Sequence, residues 1–308
     1  SSTDAAKGGA ASNDGEYKVA IAQYASFPPL DEAVAGFKAA LSEAGLEVSY
    51  DASNAQGDQT NVNSIASKYA AGDYDLVFAI ATPMAQSIAQ NVVDTPVLFT
   101  AVTDPVAAEL VESNEAPGYN VTGTTDMNPV AKQIDLVKQV IPDAHKVGII
   151  YSSGEVNSQV QVKLAKAEAK KQGLEVVEKT ITNTAEVQQA AQTLTGVDAI
   201  FIPTDNTVVA ALDSVLQVAE EKGILTVAGE ASSVNNGAAL TLGLDYKTLG
   251  HQTGEMAVKI LKGEAKPEAM PVEAQKTPLL VINPEAAKKQ GHPIPAELLD
   301  KADKVVYQ

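Results

Sequence analysis

The sequence contains an internal repeat, and this feature restricts the possible folds more than any other. VAIA at Val19 is matched by VGII at Val147, and AGLEVSY around Gly45 is matched by QGLEVVE around Gly173. Two further matched pairs are Asp75 with Asp198 and Asp126 with Asp245. The order is kept and the separation stays at roughly 120 to 130 residues. A chain of 308 residues with two similar halves predicts two lobes, each with its own core.

Each half alternates apolar strands with amphipathic helices. We expect strands at 18–24, 46–50, 75–80, 96–100, 120–125 and 146–151, and helices at 29–44, 59–71, 84–91 and 130–141. Such alternation is typical of parallel sheets that are covered by helices on both faces. The sequence therefore predicts an α/β fold made of two similar doubly wound parallel-sheet lobes.

The composition excludes several classes of function. The formal net charge is −17, and no arginine occurs, so lysine supplies every positive side chain. Such a chain has no electrostatic surface for nucleic acid or anionic lipid. Without arginine, an anionic ligand group has to be held by backbone N–H groups, hydroxyls or lysine. Cysteine is also absent, which excludes disulfides, a thiol nucleophile and cysteine-ligated zinc.

Ligands of parallel α/β sheets bind beyond the carboxyl ends of the strands, so the loops there are candidate sites. Tyr24 and Phe27 follow the first strand, where they either cover a flat ligand group or pack on the next helix. Thr82 is an expected N-cap, and the free N–H groups behind it form either an anion site or a plain helix start. Thr103 and Asp104 follow the fourth strand and offer a hydroxyl and a carboxylate.

The second half offers a comparable set of polar loops. The candidate ligand-binding residues there are Ser152, Ser153, Asn157, Ser158, Asp205, Asn206 and Glu230. Among them, the carboxylate of Asp205 is a charged acceptor for an ammonium group. Asp126 and Asp245 each precede a predicted helix, and we interpret both as helix caps.

The sequence contains no residue set that is typical of catalysis. His145, His251 and His292 are not spaced as metal-binding pairs, and each falls near an element end or on a helix surface. No nucleophile elbow, P-loop or dinucleotide-binding glycine motif follows a strand. We therefore expect no catalytic residue, no metal and no cofactor.

Seven segments together give the chain a specific family resemblance. They are FPPLDEAVAGF (27–37), ATPMAQSIAQ (81–90), PVLFTAVTDPV (96–106), NVTGTTDMNPV (120–130), YSSGEVNSQVQV (151–162), VDAIFIPTDNTVVAAL (197–212) and GAALTLGLDYKTLGHQTGEMAVKILKG (237–263). With them the chain resembles the substrate-binding lipoproteins of ABC transporters that have the type I periplasmic-binding-protein fold. Tryptophan- and tyrosine-binding proteins are the best-defined members of this family.

The resemblance implies two lobes joined by a three-crossing hinge, which close on a ligand held between them. On that basis lobe 1 comprises 16–125 and 246–270, and lobe 2 comprises 126–245 and 271–308. It also implies a receptor that catalyses nothing, binds an aromatic amino acid outside the cytoplasm and delivers it to ABC permease and ATPase subunits.

The resemblance further assigns roles to loop residues. The ligand carboxylate is expected at Thr82, Thr103 and the N–H groups of Met84 and Ala85. Asp205 and Glu230 are expected to receive the ammonium group, with Tyr24 and Phe27 near the ligand side chain and Asn157 and Ser158 closing the second lobe.

Three departures keep the identity of the ligand open. Phe27, the pair Ser152–Ser153 and Glu230 differ from the residues that many family members carry at these positions. A receptor for a nucleoside, sugar or peptide and a ligand-sensing domain of a regulator are the alternatives. For the small, polar residues 1–15 we expect a flexible tether, with a lipid anchor on a residue preceding Ser1 and a monomeric protein.

Overall fold

The computed structural model describes residues 16–307, so the predicted tether at 1–15 lies outside the described residues. The strands, in chain order, are β1 (Tyr17–Gln23), β2 (Val48–Asn54), β3 (Leu76–Ile80), β4 (Val97–Val102), β5 (Val121–Thr125), β6 (Lys146–Ser152), β7 (Glu175–Ile181), β8 (Ala199–Ile202), β9 (Leu225–Ala228), β10 (Leu240–Gly243), β11 (Glu273–Ala274), β12 (Leu279–Ile282) and β13 (Lys304–Val305). The α-helices are α1 (Pro28–Glu43), α2 (Gln59–Ala71), α3 (Thr82–Asn91), α4 (Val130–Val140), α5 (Val156–Lys171), α6 (Val187–Gln192), α7 (Asn206–Ala210), α8 (Leu212–Lys222), α9 (Ala231–Asn235), α10 (Tyr246–Leu261), α11 (Pro284–Lys289) and α12 (Ala296–Asp300).

The strands form two sheets that share one internal order. The first sheet runs β11-β5-β4-β3-β1-β2, and the second runs β13-β12-β10-β9-β8-β6-β7. From β5 to β2 and from β10 to β7 the two orders correspond strand for strand, as the repeat in the sequence predicts. The two-lobed α/β fold is thereby confirmed.

The expectation of purely parallel sheets needs one correction. The first sheet is parallel throughout, but β12 runs antiparallel to β10 in the second sheet. The reason is the route of the chain, because β12 enters the second sheet directly from the first lobe, with no helix to return it to the far end. β12 therefore starts beside the carboxyl end of β10, where Leu279 pairs with Gly243.

Predicted and observed elements differ most at β2. The sequence predicts a strand at 46–50, whereas β2 occupies Val48–Asn54. β2 is an edge strand whose residues alternate between exposed and half-buried, so its second half, DASN, carries no apolar signal. The helix predicted at 59–71, in contrast, is α2 without any shift.

The chain crosses between the two sheets three times, at 126–129, 244–245 and 275–278. After the second crossing α10 returns to the first lobe, where it packs along α1. The predicted lobe boundary after 270 is wrong in one detail, because β11 at Glu273–Ala274 pairs with β5 in the first sheet. A two-residue edge strand is too short to produce a periodic signal in the sequence.

Close packing of α1 and α10 fixes the second crossing to the first lobe. A β-carbon at Gly250 of α10 would overlap the backbone carbonyl of Ala33, and one at Gly36 of α1 would overlap that of Lys247. The backbones of the two helices therefore touch at these positions, which only glycine permits. The resulting dense contact makes the pair of helices a rigid support for the residues at their N-terminal ends.

The substitution Gly250→Ala tests this contact. We expect it to lower the free energy of unfolding by roughly 2 kcal/mol or more, because the backbone of α1 has to move away from the new methyl group. Thermal unfolding followed by circular dichroism should show a midpoint several degrees lower. Gly154→Ala is the matched control, since a β-carbon there meets nothing within 4 Å and its midpoint should stay the same. Equal midpoints for the two variants would contradict the close approach of the helices.

Candidate functional site

The carboxyl ends of strands from both sheets converge on a cavity between the lobes. This central cavity encloses about 280 Å³, including its mouth. Its lining residues lie near the carboxyl end of β4 or follow β1 and β5 in the first sheet and β8, β9 and β10 in the second. They are Phe27, Pro29, Leu30, Ala101, Asp126, Thr204, Asp205, Asn206, Val209, Glu230 and Tyr246.

Two wider spaces adjoin the central cavity. The first, of about 730 Å³ including its mouth, lies beside Phe27 and Pro29 and is bordered by residues of α7, α8 and α9. The second, which we call the rim cleft, measures about 1160 Å³ including its mouth and shares Asn206 with the central cavity. Tyr24, Ser152 and Glu155 line the rim cleft. Both spaces share lining residues with the central cavity, which is the smallest of the three.

One side of the central cavity is apolar. Phe27 is the extended residue that directly precedes α1, and the two prolines after it fix the entry of the chain into the helix. Its ring is buried, with 7% of the residue exposed, and Leu30 lies on the same side. Val209 of α7 faces them from the second lobe. These side chains form a surface suited to a flat or aliphatic ligand group.

The charged side chains that line the central cavity are all carboxyls: Asp126, Asp205 and Glu230. A buried carboxylate is stable only with a cation or with several hydrogen bonds. The three groups differ in how far the protein itself meets that requirement, and this difference decides which of them can receive a ligand.

Asp205 is fully buried and already holds four hydrogen bonds. Its Oδ1 accepts the N–H groups of Thr207 and Val208 at 3.0 and 2.8 Å and so caps α7. Its Oδ2 accepts the N–H group of Ser152 and the hydroxyl of Ser158, both at 2.6 Å. The predicted site residues Ser152 and Ser158 therefore support Asp205, and the carboxylate of Asp205 organises the second lobe.

Glu230 is the carboxyl whose hydrogen bonding is incomplete. It caps α9 through Oε1, which accepts the backbone N–H group of Ser233 at 2.9 Å and also its hydroxyl. Oε2 is buried and has no hydrogen-bond partner among the described residues. Burial is the main cause that raises the pKa of Glu230 to about 7, while the bonds from Ser233 act in the opposite direction. Glu230 thus presents a free acceptor at the cavity.

Asp126 and Tyr246 lie at the base of the central cavity and connect the first crossing with the second. The Tyr246 hydroxyl donates to Oδ2 of Asp126, and the Thr103 hydroxyl donates to Oδ1 at 3.5 Å. Burial raises the pKa of Asp126 to about 6. A ligand that contacts this pair would therefore touch the hinge itself.

The three predicted helix caps have different outcomes. The prediction for Thr82 is wrong, because α3 begins at Thr82 itself and its N-cap is Ala81, with no side-chain cap hydrogen bond. Asp245 accepts the N–H group of Thr248 and caps α10, so that prediction is confirmed. The prediction for Asp126 is wrong, because α4 begins only at Val130 and the Asp126 side chain turns to Tyr246 instead.

Glu155, which the sequence analysis did not select, is a further buried carboxyl. Its Oε1 accepts the backbone and side-chain N–H groups of Asn206 at 3.1 and 2.6 Å and the Asn157 amide at 3.3 Å. Its Oε2 accepts the Thr207 hydroxyl at 3.2 Å. Burial, followed by the nearby Asp205 carboxylate, raises the pKa of Glu155 to about 8. The acidic character of the central cavity therefore extends into the rim cleft.

The residues expected to hold a ligand carboxylate lie outside the central cavity. The Ala85 amide donates to the Ala81 carbonyl at 3.0 Å, so the prediction that it is free for a ligand is wrong. The side chains of Met84 and Ala85 belong to the apolar core of the first lobe. The Thr82 hydroxyl is buried without a partner among the described residues, and Thr82 does not line the central cavity.

Three other candidates have local roles. Asp104 accepts the N–H group of Ala107 at 3.0 Å and closes a turn. Ser153 is exposed, and its carbonyl accepts the Gln159 amide at 2.8 Å. Asn157 donates to the Thr204 carbonyl at 3.1 Å and leaves its own Oδ1 buried without a partner among the described residues.

Hydrogen bonds also join the lobes across the cleft. The Gln161 amide of α5 lies 3.5 Å from the Thr103 hydroxyl of the first lobe. The Ser232 hydroxyl of α9 donates to Glu32 of α1 at 3.2 Å. The lobes are therefore in direct contact in this conformation.

Several lining residues had no recognisable signal in the sequence. Ala101, Leu30 and Val209 are ordinary apolar residues, and only the convergence of their strands and helices brings them to the cavity. Tyr246 could have been found, because it directly follows the acidic cap at the second crossing and is the equivalent of Met127 in the repeat.

Comparison with known proteins gives a consistent result. Residues 18–306 match the family described as ABC transporter substrate binding protein. A tyrosine-binding protein of Clostridioides difficile (strain R20291) is 41% identical over 275 residues, which cover 88% of this chain and 79% of that protein.

Two solved structures are informative together. The ABC domain of Streptococcus pneumonia in complex with L-Trp is 36% identical, has a TM-score of 0.90, and is matched over 95% of this chain and 100% of that chain. The ligand-free, open structure of a substrate-binding protein with adhesive properties from Clostridium difficile is 40% identical but has a TM-score of 0.70, with 95% of this chain and 100% of that chain covered. The fold and the family predicted from the sequence are confirmed: the chain belongs to the ABC transporter substrate binding protein family.

Proposed function

We propose that this protein is the receptor of an ABC importer for an aromatic amino acid, which it binds between its two lobes. The observation that carries the proposal is the composition of the central cavity, where buried carboxyls lie next to Phe27 and Leu30. An acidic centre suits an ammonium group, and the apolar side suits a ring. The tyrosine-binding relative and the L-Trp complex support the same class of ligand.

Closure of the lobes on the ligand is part of the proposal. The TM-score is higher with the L-Trp complex (0.90) than with the open, ligand-free structure (0.70), although the sequence identity with the open structure is higher, 40% against 36%. The contacts of Gln161 with Thr103 and of Ser232 with Glu32 join the lobes and would be lost on opening. The crossings at 126–129, 244–245 and 275–278 are the natural hinge.

Substrate-binding proteins of ABC importers work outside the cytoplasm and pass their solute to membrane permease and ATPase subunits. Among the described residues, no helix has the length and apolar character needed to cross a membrane. We propose that a lipid on a residue ahead of Ser1 holds the protein at the outer face of the membrane, and that it works as a monomer. The small, polar composition of residues 1–15 suits a tether between such an anchor and the first lobe.

Ligand class can be tested by thermal shift and calorimetry. L-Tyrosine, L-tryptophan or L-phenylalanine at about 100 times its Kd should stabilise the protein by about 2.7 kcal/mol and raise the unfolding midpoint by several degrees. L-Leucine, which has the same ionic groups but no ring, should raise the midpoint less. If none of the aromatic amino acids binds, the proposed function is wrong.

Phe27→Ala should weaken binding of the preferred amino acid about tenfold, because the ring contact on the apolar side of the cavity is lost. Isothermal titration calorimetry gives the Kd of each variant. Tyr119→Ala is the matched control, since Tyr119 is an aromatic residue with 52% exposure that does not line the central cavity. An effect of equal size in the control would mean that Phe27 makes no specific contact with the ligand.

Small-angle scattering tests closure. The radius of gyration of the ligand-free protein should be larger than that of the protein saturated with the amino acid, because an open cleft moves both lobes away from the common centre. A radius that stays unchanged at saturation would show that binding does not depend on lobe closure.

A further inference from the structure

The most unusual polar group in the cleft is Oε2 of Glu230. The residue is 1% exposed, it lines the central cavity, and this oxygen has no hydrogen-bond partner among the described residues. Oε1 is already engaged by Ser233. The ionised form of such a carboxylate is destabilised, because burial removes the hydration of Oε2 and no hydrogen-bond donor among the described residues replaces it.

The charges around Glu230 do not compensate its own charge. Glu32 of α1 faces it from the first lobe and Tyr246 of α10 faces it from the hinge side, where Asp126 also lies. Asp205 lines the same cavity from α7. The lysine on this side, Lys304, acts on Glu32 and donates to Asn235, at the far end of α9 from Glu230. The groups that face Glu230 directly are therefore acidic, and the raised pKa of Glu230, about 7, agrees with a carboxyl that is partly protonated near neutral pH.

Asp205, the other carboxyl expected to receive an ammonium group, is in the opposite condition. Both of its oxygens are satisfied by Thr207, Val208, Ser152 and Ser158. These four donors stabilise the charged form without a ligand, and a new donor would have to compete with them. Of the two carboxyls, Glu230 is the one that has a free oxygen for a new donor, so a ligand can change its protonation.

We propose that the ammonium group of the ligand takes the place of the proton on Glu230, so that binding releases this proton to solvent and becomes weaker in acid. The proposal rests on the proposed function, because it needs a ligand with an ammonium group. In the exchange, the carboxylic acid of Glu230 loses H⁺ to the solvent, and an N–H bond of the ligand then donates to Oε2. At Glu230 the ammonium group replaces the proton as the positive charge. Because the amino acid also carries a carboxylate, the net charge of the occupied cavity falls by one as the proton leaves.

The sign of the pH dependence follows directly. Below about pH 7 the proton occupies Glu230 and competes with the ligand, whereas above pH 7 the carboxylate is free to accept the ammonium group. The Kd should therefore be about tenfold higher at pH 6 than at pH 8. The number of protons released per bound ligand should be about 0.9 at pH 6 and about 0.1 at pH 8.

Calorimetry of the full chain measures this exchange. L-Tyrosine is titrated into the protein at pH 6 and pH 8 in pairs of buffers with different heats of ionisation, and the difference in heat gives the number of protons released. Glu230→Gln keeps an oxygen for the cap of α9 but cannot release a proton. It should bind L-tyrosine more weakly at pH 8, release close to no protons at pH 6, and lose most of the dependence of Kd on pH. Its circular dichroism spectrum and unfolding midpoint show whether it is folded.

Asp135→Asn is the matched control, because Asp135 of α4 is a half-buried carboxyl of raised pKa that neither lines the central cavity nor contacts Glu230. It should release the same number of protons as the wild type. If Asp135→Asn removes the release, or if folded Glu230→Gln still releases protons like the wild type, the proposal is wrong. Binding of L-tyrosine without any proton release overturns the proposal alone. Failure of every aromatic amino acid to bind the wild type overturns the proposed function, and the proposal with it.

Discussion

Carboxyl groups buried without a neighbouring cation determine the electrostatics of the cleft between the lobes. Asp126, Glu155, Asp205 and Glu230 are all buried in the cleft between the lobes, and the chain has no arginine to pair with them. The protein stabilises Asp205 with four hydrogen bonds, whereas Glu230 keeps one oxygen without a partner among the described residues. A cationic group placed beside Glu230 would therefore supply an interaction that the described residues leave out.

The scaffold places these carboxyls where a ligand can influence the hinge. Tyr246 begins α10, which touches the backbone of α1 through Gly36 and Gly250, so its position is fixed to the first lobe. Its hydroxyl donates to Asp126, which directly follows β5 at the first crossing. The base of the cavity and two of the three hinge segments are therefore one hydrogen-bonded unit, and this arrangement links occupancy of the cavity to the geometry of the hinge.

The sequence predicted the fold well and the site only in part, for physical reasons. The number of lobes follows from the repeat, and the alternation of strands and helices follows from apolar periodicity, which depends on local sequence. Phe27, Asp205, Asn206 and Glu230 were found because they follow strands and have distinctive chemistry. The hydrogen-bond partners of these carboxyls could not be predicted. Asp205 accepts hydrogen bonds from Ser152 and Ser158 of another loop, and Asp126 accepts one from Tyr246, roughly 120 residues away. No local sequence pattern encodes such contacts.

The division of the cavity between the lobes explains how selection and closure are coupled. The apolar side, Phe27 and Leu30, belongs to the first lobe, whereas Asp205 and Glu230 belong to the second. In the proposed open form the carboxyls would face water, so closing an empty cleft would remove this hydration at a cost in free energy. In the proposed complex the ammonium group of the ligand supplies the missing interaction at Glu230, and its ring covers the apolar side. Closure is then favoured only by a ligand that brings both groups. A ligand can shift the equilibrium between the open and closed forms by no more than the difference between its binding free energies for the two forms.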